Sequence, residues 1–154
     1  MNSRQRLLAA LDRRTPDRLP ATTHHLMPSF LSALGGLSEL QFFDRFELDA
    51  IRWVSGQTDN TIDPGNGWRV EIEDIPDPNR RTMRLGSPPR MVGGFDQFHH
   101  FIGCTPEETR LAVRRCFEDA GAGGGYILAP SDHFFEAEEP LLRTFAAEAR
   151  SCAY

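Results

Sequence analysis

Lysine is absent from this sequence of 154 residues, and all 17 basic residues are arginine. This absence excludes a Schiff-base lysine, a lysine general base and the lysine of a phosphate-binding loop. The net charge of −5 and the dispersed arginines leave no basic stripe, so nucleic acid and anionic membranes are not expected partners. We therefore expect a small-molecule substrate or another protein as the partner.

Cysteine is scarce, and metal-binding spacings are missing. The three cysteines, Cys104, Cys116 and Cys152, are an odd number without CxxC spacing, which indicates reduced thiols rather than a disulfide framework or a zinc knuckle. The five histidines show neither HxH nor HExxH spacing. We therefore predict no metal site.

Long apolar runs are also missing. No stretch of 18 apolar residues occurs, and the charged, amphipathic start MNSRQRLLAALDRR does not resemble a signal peptide, so we expect a cytoplasmic protein. The apolar content of 40% and charged content of 25% are typical of one globular domain, here residues 1–154.

The first half of the chain alternates between helical and strand patterns. Asn2 with Gln5, and Ser38 with Gln41, have capping-box spacing and predict helix starts. A third helix is expected from Pro28. The segments LPATTHHLM (19–27) and AIRWV (50–54) predict strands, and alternating apolar residues at 68–72 predict a hairpin with residues 80–85.

The second half repeats the alternation. The segment LGSPPRMVGG (85–94) predicts a loop, and GFDQFHHFIG (94–103) predicts a strand that ends in two histidines. The capping box at Thr105 and Glu108 begins a helix, YILA (126–129) predicts a strand buried on both faces, and a last helix starts near Pro140. Such alternation indicates an α/β fold with parallel strands.

Polar clusters follow four of these predicted strands, where ligands bind in parallel α/β folds. The clusters are His24 and His25; Ser55 through Asp59; His99 and His100; and Ser131, Asp132 and His133. The candidate catalytic residues are His24, His25, His99, His100, Asp132 and His133, because such groups act as acids, bases or carboxylate-binding donors near neutral pH. The alternative for each histidine is a structural role, and Asp132 alternatively caps a turn.

If the strands are parallel neighbours, a histidine after the first strand lies within about 10 Å of one after a later strand. The glycines before YILA precede a strand rather than a helix. They therefore favour a tight turn over a phosphate-binding loop.

Two stretches resemble the uroporphyrinogen decarboxylase superfamily, which includes corrinoid-dependent methyltransferases. They are RQRLLAALDRRTPDRLP at the start and TPEETRLAVRRCFEDAGAGGGYILAPSDHFF followed by its helix at the end. The resemblance implies a (β/α)8 barrel, which takes about 250 residues. Residues 1–85 resemble the N-terminal units and 92–154 the C-terminal units, with a junction at about 86–91. The implied fold is a partial TIM barrel, a half-barrel of strand order 7-8-1-2 with a β-hairpin excursion.

The superfamily's functional residues match only in part. The stretch THHLMPS stands where the decarboxylases have an arginine-bearing motif for substrate carboxylates, and Gly56 stands where they have an aspartate. Asp132 or His133 corresponds to the histidine after the last strand. The methyltransferases' zinc motif HxC is absent, and Ser131 occupies the position of their later cysteine.

The resemblance leaves two hypotheses for function. One is an enzyme acting on a tetrapyrrole or on a corrinoid-linked methyl group, with a corrinoid protein as partner and corrinoid and zinc as cofactors of the methyltransferase branch. The other is a non-catalytic remnant that binds a ligand or partner, which we favour because the central strands are missing. An open half-barrel is also expected to form a homodimer or to aggregate.

Overall fold

The computed structural model describes residues 1–23, 25–51, 70–72, 83–85, 91–131, 133–134 and 136–154. The helices are α1 (Ser3–Leu11), α2 (Pro28–Ala33), α3 (Glu39–Phe46), α4 (Gln97–His100), α5 (Pro106–Ala120) and α6 (Glu139–Ser151). The strands are β1 (Val70–Ile72), β2 (Met83–Leu85), β3 (Met91–Phe95) and β4 (Tyr126–Pro130).

Helix starts agree with the sequence because their signals are local. In each of the predicted capping boxes, Asn2–Gln5, Ser38–Gln41 and Thr105–Glu108, both reciprocal hydrogen bonds are present. α2 begins at the predicted Pro28, and α6 begins one residue before Pro140. These predictions are confirmed.

β4 lies at the centre of the core, and all five of its residues are buried, as predicted for YILA. It pairs in parallel with β3, in a register from Met91 opposite Tyr126 to Phe95 opposite Pro130. On its other side, Leu128 N–H donates to the Pro20 carbonyl (2.9 Å) and the Leu128 carbonyl accepts from Thr22 N–H (2.9 Å). Residues 20–22, β4 and β3 therefore run side by side in one direction.

The strand predicted in the segment 19–27, with its end near His24 and His25, is wrong in extent. The structure has two isolated parallel bridges instead, Ala21 with Leu128 and Leu26 with Phe134. Between them His25 has a φ of 51°, in the left-handed region, which interrupts extended pairing. Pro20 also lacks an N–H for the ladder.

The strand predicted over 94–103 is also wrong, because it is displaced. The strand is β3, and Asp96 then caps α4 by accepting hydrogen bonds from Phe98 N–H and His99 N–H at 3.1 and 3.2 Å. Gly93 lies in the segment 85–94 that was predicted to be a loop. Its carbonyl nevertheless accepts a hydrogen bond from the buried Tyr126 hydroxyl (2.9 Å). A tertiary contact therefore holds a glycine-rich segment in the sheet.

The predicted hairpin is confirmed in its pairing: β1 and β2 are antiparallel, with Val70 opposite Leu85. It belongs to a compact unit of its own, Val54–Pro89, while Met1–Trp53 and Arg90–Tyr154 form the other unit. In the strand predicted over 50–54, Ala50 and Ile51 have no regular structure, and residues 52–54 lie outside the described residues.

The larger unit is held together by aromatic packing around β4. Phe101 packs against Phe95, Phe134 and Phe145 at ring-centroid distances of 4.8, 5.3 and 5.2 Å, and all four side chains are fully buried. Burial of this aromatic surface contributes favourably to folding. In the described part of the chain, no helix has both the length and the apolar character needed to cross a membrane.

Candidate functional site

The candidate site lies where the three parallel segments end. Thr23 and His25 follow residues 20–22, Gln97 follows β3, and His133 follows β4. Parallel segments bring their carboxyl ends to the same edge, which is the usual ligand position in α/β folds. We call these four residues the carboxyl-end edge.

His25 and His133 bring two imidazole rings together at this edge. Their ring centroids are 4.4 Å apart and the rings meet edge to face at 74°. The backbone sets this distance, because the His25 carbonyl accepts from Phe134 N–H (3.2 Å) and Met27 N–H donates to the Phe134 carbonyl (3.2 Å). The prediction that a histidine after the first strand lies near a later one is confirmed for this pair, and both residues are exposed.

Gln97 is a residue that sequence reasoning missed. It is 4% exposed, and its Nε2 donates to the His133 backbone carbonyl at 2.8 Å, so that it holds the segment carrying the histidine. Its Oε1 is buried without a hydrogen-bond partner. The prediction placed Gln97 in the middle of a strand, and an amide just after the end of a strand is the signal that would have found it.

Thr23 is the second buried polar group at the edge. It is 0% exposed, and its Oγ1 has no hydrogen-bond partner. Buried hydroxyls without a partner are costly and therefore uncommon. Thr23 lies in the wall of a cavity of about 180 Å³, together with His25, Glu39, Leu26, Phe43 and Ile51.

His99 and His100 lie on α4, not at the end of a strand. His99 Nδ1 is 2.7 Å from Asp96 Oδ2, and the His99 side chain is 79% exposed. Burial acts to raise the pKa of Asp96, but the hydrogen bonds from the ring and backbone of His99 outweigh it and leave that pKa below its ordinary value. Asp96 thus orients the His99 ring.

His100 packs its ring 5.8 Å from that of Phe95, and its Nδ1 is buried without a partner. Among the ring contacts of the described residues, neither His99 nor His100 touches His25 or His133. The structure therefore brings together His25 and His133 from the six candidates. His24 and Asp132 lie outside the described residues, as do Ser55 through Asp59.

Among the described residues, the donor set does not fit the zinc that the resemblance to the methyltransferase branch implies. Within the residues that the structure describes, no three His, Cys, Asp or Glu side chains form a group able to hold a metal ion. Cys104 is half-buried, and burial raises the pKa of the Cys116 and Cys152 thiols, which disfavours the thiolate.

Comparisons with family models, with curated proteins and with solved structures return no match for this chain.

Proposed function

We propose that this chain binds an acidic tetrapyrrole or corrinoid-type small molecule at the carboxyl-end edge, as a non-catalytic half-barrel of the uroporphyrinogen decarboxylase superfamily. The observation that carries the proposal is the pair of histidine rings, 4.4 Å apart, from two neighbouring parallel segments. Two imidazoles at this spacing can donate to the two oxygens of one ligand carboxylate.

The surroundings of the pair support a binding role. Gln97 and the Leu26–Phe134 bridge hold the two segments in register, so that little ordering is required when a ligand arrives. Both histidines are exposed, which leaves their rings accessible to a large planar ligand. The buried oxygens of Thr23 and Gln97 are further hydrogen-bonding groups at the same edge.

The same edge offers little support for turnover. The decarboxylases hold substrate carboxylates with an arginine, whereas the corresponding described residues, 23 and 25–29, include none. Arg18, the nearest preceding arginine in the sequence, hydrogen-bonds Asp49 and the Leu19 carbonyl. We therefore propose that a decarboxylation or methyl-transfer activity, if the ancestor had one, is lost or impaired.

Titration with coproporphyrin, a stable tetrapyrrole with four carboxylates, tests the binding. We expect saturable binding by absorbance and a loss of affinity of about ten-fold or more in His25→Gln and in His133→Gln, because each removes a charge-assisted hydrogen bond. His99→Gln is the matched control, since His99 is also exposed but lies on α4 and not at the carboxyl-end edge. The methyl ester of the same porphyrin should bind weakly.

Equal binding by the wild type and the His25→Gln/His133→Gln double variant would show that the pair is not the site. Turnover is measured separately, with uroporphyrinogen for decarboxylation and with a corrinoid protein for methyl transfer. Measurable product in either assay would replace the non-catalytic proposal by the enzymatic one.

A second copy of the chain is the proposed macromolecular partner. Met91 and Val92 on β3 are 51% and 57% exposed, although parallel sheets are normally covered on both faces. Gel filtration with light scattering should show a dimer or larger species. A single sharp monomer peak with a cooperative melt would contradict this expectation.

A further inference from the structure

The cavity beside Thr23 has a size and a lining that the tetrapyrrole proposal does not use. Its volume of about 180 Å³ is far too small for a tetrapyrrole. At about 30 Å³ for each water of liquid, it has room for roughly six water-sized groups. It therefore suits a ligand of about five or six non-hydrogen atoms.

The walls of the cavity combine an apolar lining with few polar groups. Leu26, Phe43 and Ile51 supply apolar surface, while Thr23, His25 and Glu39 supply the polar atoms. This is the usual composition of a small-molecule site, in which apolar contacts bind and a few polar atoms orient the ligand.

Thr23 shows that the site has unused hydrogen-bonding capacity. Its side chain is fully buried, yet its Oγ1 has no partner, whereas the neighbouring Thr22 hydroxyl donates to the Thr23 carbonyl (3.3 Å). A buried polar atom without a partner costs free energy, and a ligand that hydrogen-bonds it would offset that cost. The unpaired Thr23 Oγ1 is therefore the observation that points to a binding site here.

Charge selects the class of ligand. Among the described residues of the wall, Glu39 is acidic and none is an arginine. A carboxylate has several acceptor positions and a threonine hydroxyl can also accept a hydrogen bond. A ligand with several N–H donors and a positive charge can therefore donate to both groups. We infer that this cavity binds a small aliphatic ammonium ion, with its N–H groups at Thr23 and Glu39 and its alkyl chain against Leu26, Phe43 and Ile51. This inference concerns a different ligand class and holds whether or not a tetrapyrrole binds.

The test uses n-butylammonium, and it compares this cation with two probes of similar length, the anion butyrate and the neutral 1-butanol. Binding is followed by amide shifts of Thr23 and Ile51 in two-dimensional NMR. We expect n-butylammonium to saturate these shifts with a dissociation constant roughly in the millimolar range, as its few atoms allow. Thr23→Val and Glu39→Gln should each weaken it about ten-fold, and Glu107→Gln, an exposed carboxylate on α5, should leave it unchanged.

Several outcomes would overturn the inference. Butyrate or butanol binding as tightly as n-butylammonium would exclude the ammonium class, and so would unchanged affinity in Glu39→Gln. If Thr23→Val does not fold, Glu39→Gln decides alone. Coproporphyrin binding without n-butylammonium binding would contradict this inference and leave the proposed function intact. Binding of n-butylammonium without coproporphyrin binding would contradict the proposed function and support this inference.

Discussion

The two ends of the short segment from Arg18 to Thr23 differ in whether their buried polar groups are hydrogen-bonded. At the first end, Asp49 is 1% exposed and accepts hydrogen bonds from Arg6 (2.7 Å), Arg18 (3.3 Å) and the Ala21 N–H (3.2 Å). At the other end, Thr23 is fully buried and its hydroxyl has no partner.

This difference separates a region whose buried charges are paired from one with a buried polar atom left unpaired. Buried charges are tolerated when each is paired and hydrogen-bonded, as around Asp49. Buried polar atoms left unpaired lower stability. The Asp49 end therefore stabilises the fold, whereas the Thr23 end retains a buried hydroxyl without a hydrogen-bond partner.

The largest expected effect is at Asp49. Asp49→Asn should lower the free energy of unfolding by about 3 to 5 kcal/mol, because it leaves the buried Arg6 and the half-buried Arg18 with one carboxylate fewer. Urea denaturation measures it. Asp12→Asn, which removes an exposed pair with Arg14, is the control and should cost less than about 0.5 kcal/mol. Equal losses of unfolding free energy in Asp49→Asn and Asp12→Asn would show that the buried pairing around Asp49 is not what stabilises this end.

The glycine turn before β4 lies at the same end of the sheet and should show the next largest effect. Gly123 and Gly124 have φ values of 77° and 78°, but a Cβ on Gly124 would lie 2.9 Å from the Arg14 carbonyl oxygen, whereas one on Gly123 meets nothing within 4 Å. Gly123→Ala should cost about 1 kcal/mol for the backbone angle alone. Gly124→Ala should cost roughly 1 to 3 kcal/mol more because the backbones must separate.

Gly125, at φ 82°, should behave between these two: Gly125→Val should cost on the order of 1 kcal/mol or more. Thermal melts of the three variants measure the series. A Gly124→Ala melt equal to that of Gly123→Ala would show that the approach to Arg14 is not needed.

The pH dependence of stability should come from the ion pairs of Arg6 with Asp17 and Asp49. The hydrogen bond from Arg6 holds the pKa of Asp17 well below its ordinary value. A lowered pKa in the folded state means that this stabilisation is present above the unfolded pKa of about 3.9 and is lost as pH falls through the folded value. Asp17 is 37% exposed, so the contribution at neutral pH is about 1 kcal/mol.

Urea denaturation of the wild type and Asp17→Asn at several pH values measures this contribution. The two stabilities should differ at pH 7 and converge as the pH falls below 4. A constant difference between pH 7 and pH 2 would assign the effect to packing instead of charge.

The smallest expected effect, of opposite sign, is at the carboxyl-end edge. Thr23→Val should raise the free energy of unfolding by about 0.5 to 1 kcal/mol, because it removes a buried hydroxyl that has no partner. Thr22→Val is the matched control and should lower stability by a similar amount, since the Thr22 hydroxyl donates to the Thr23 carbonyl. A loss of stability in Thr23→Val would mean that its hydroxyl stabilises the fold.

The candidate site was predictable only in part. The proximity of His25 and His133 followed from alternating helices and strands, because parallel strands place their carboxyl ends together. His99 and His100 were misplaced because the strand before them was displaced by several residues. Gln97 was missed for the same reason, since its role depends on a hydrogen bond to a carbonyl 36 positions away.

The sequence by itself determined the helix starts and the buried strand β4. Capping boxes join residues three positions apart, and a run such as YILA is apolar whatever surrounds it, so these signals act locally. Only the tertiary structure decided the extent of β3, where the Tyr126 hydroxyl holds Gly93, and the burial of Asp49 between two arginines. Those outcomes depend on groups far apart in the chain, whose burial and pairing energies exist only after the chain has folded.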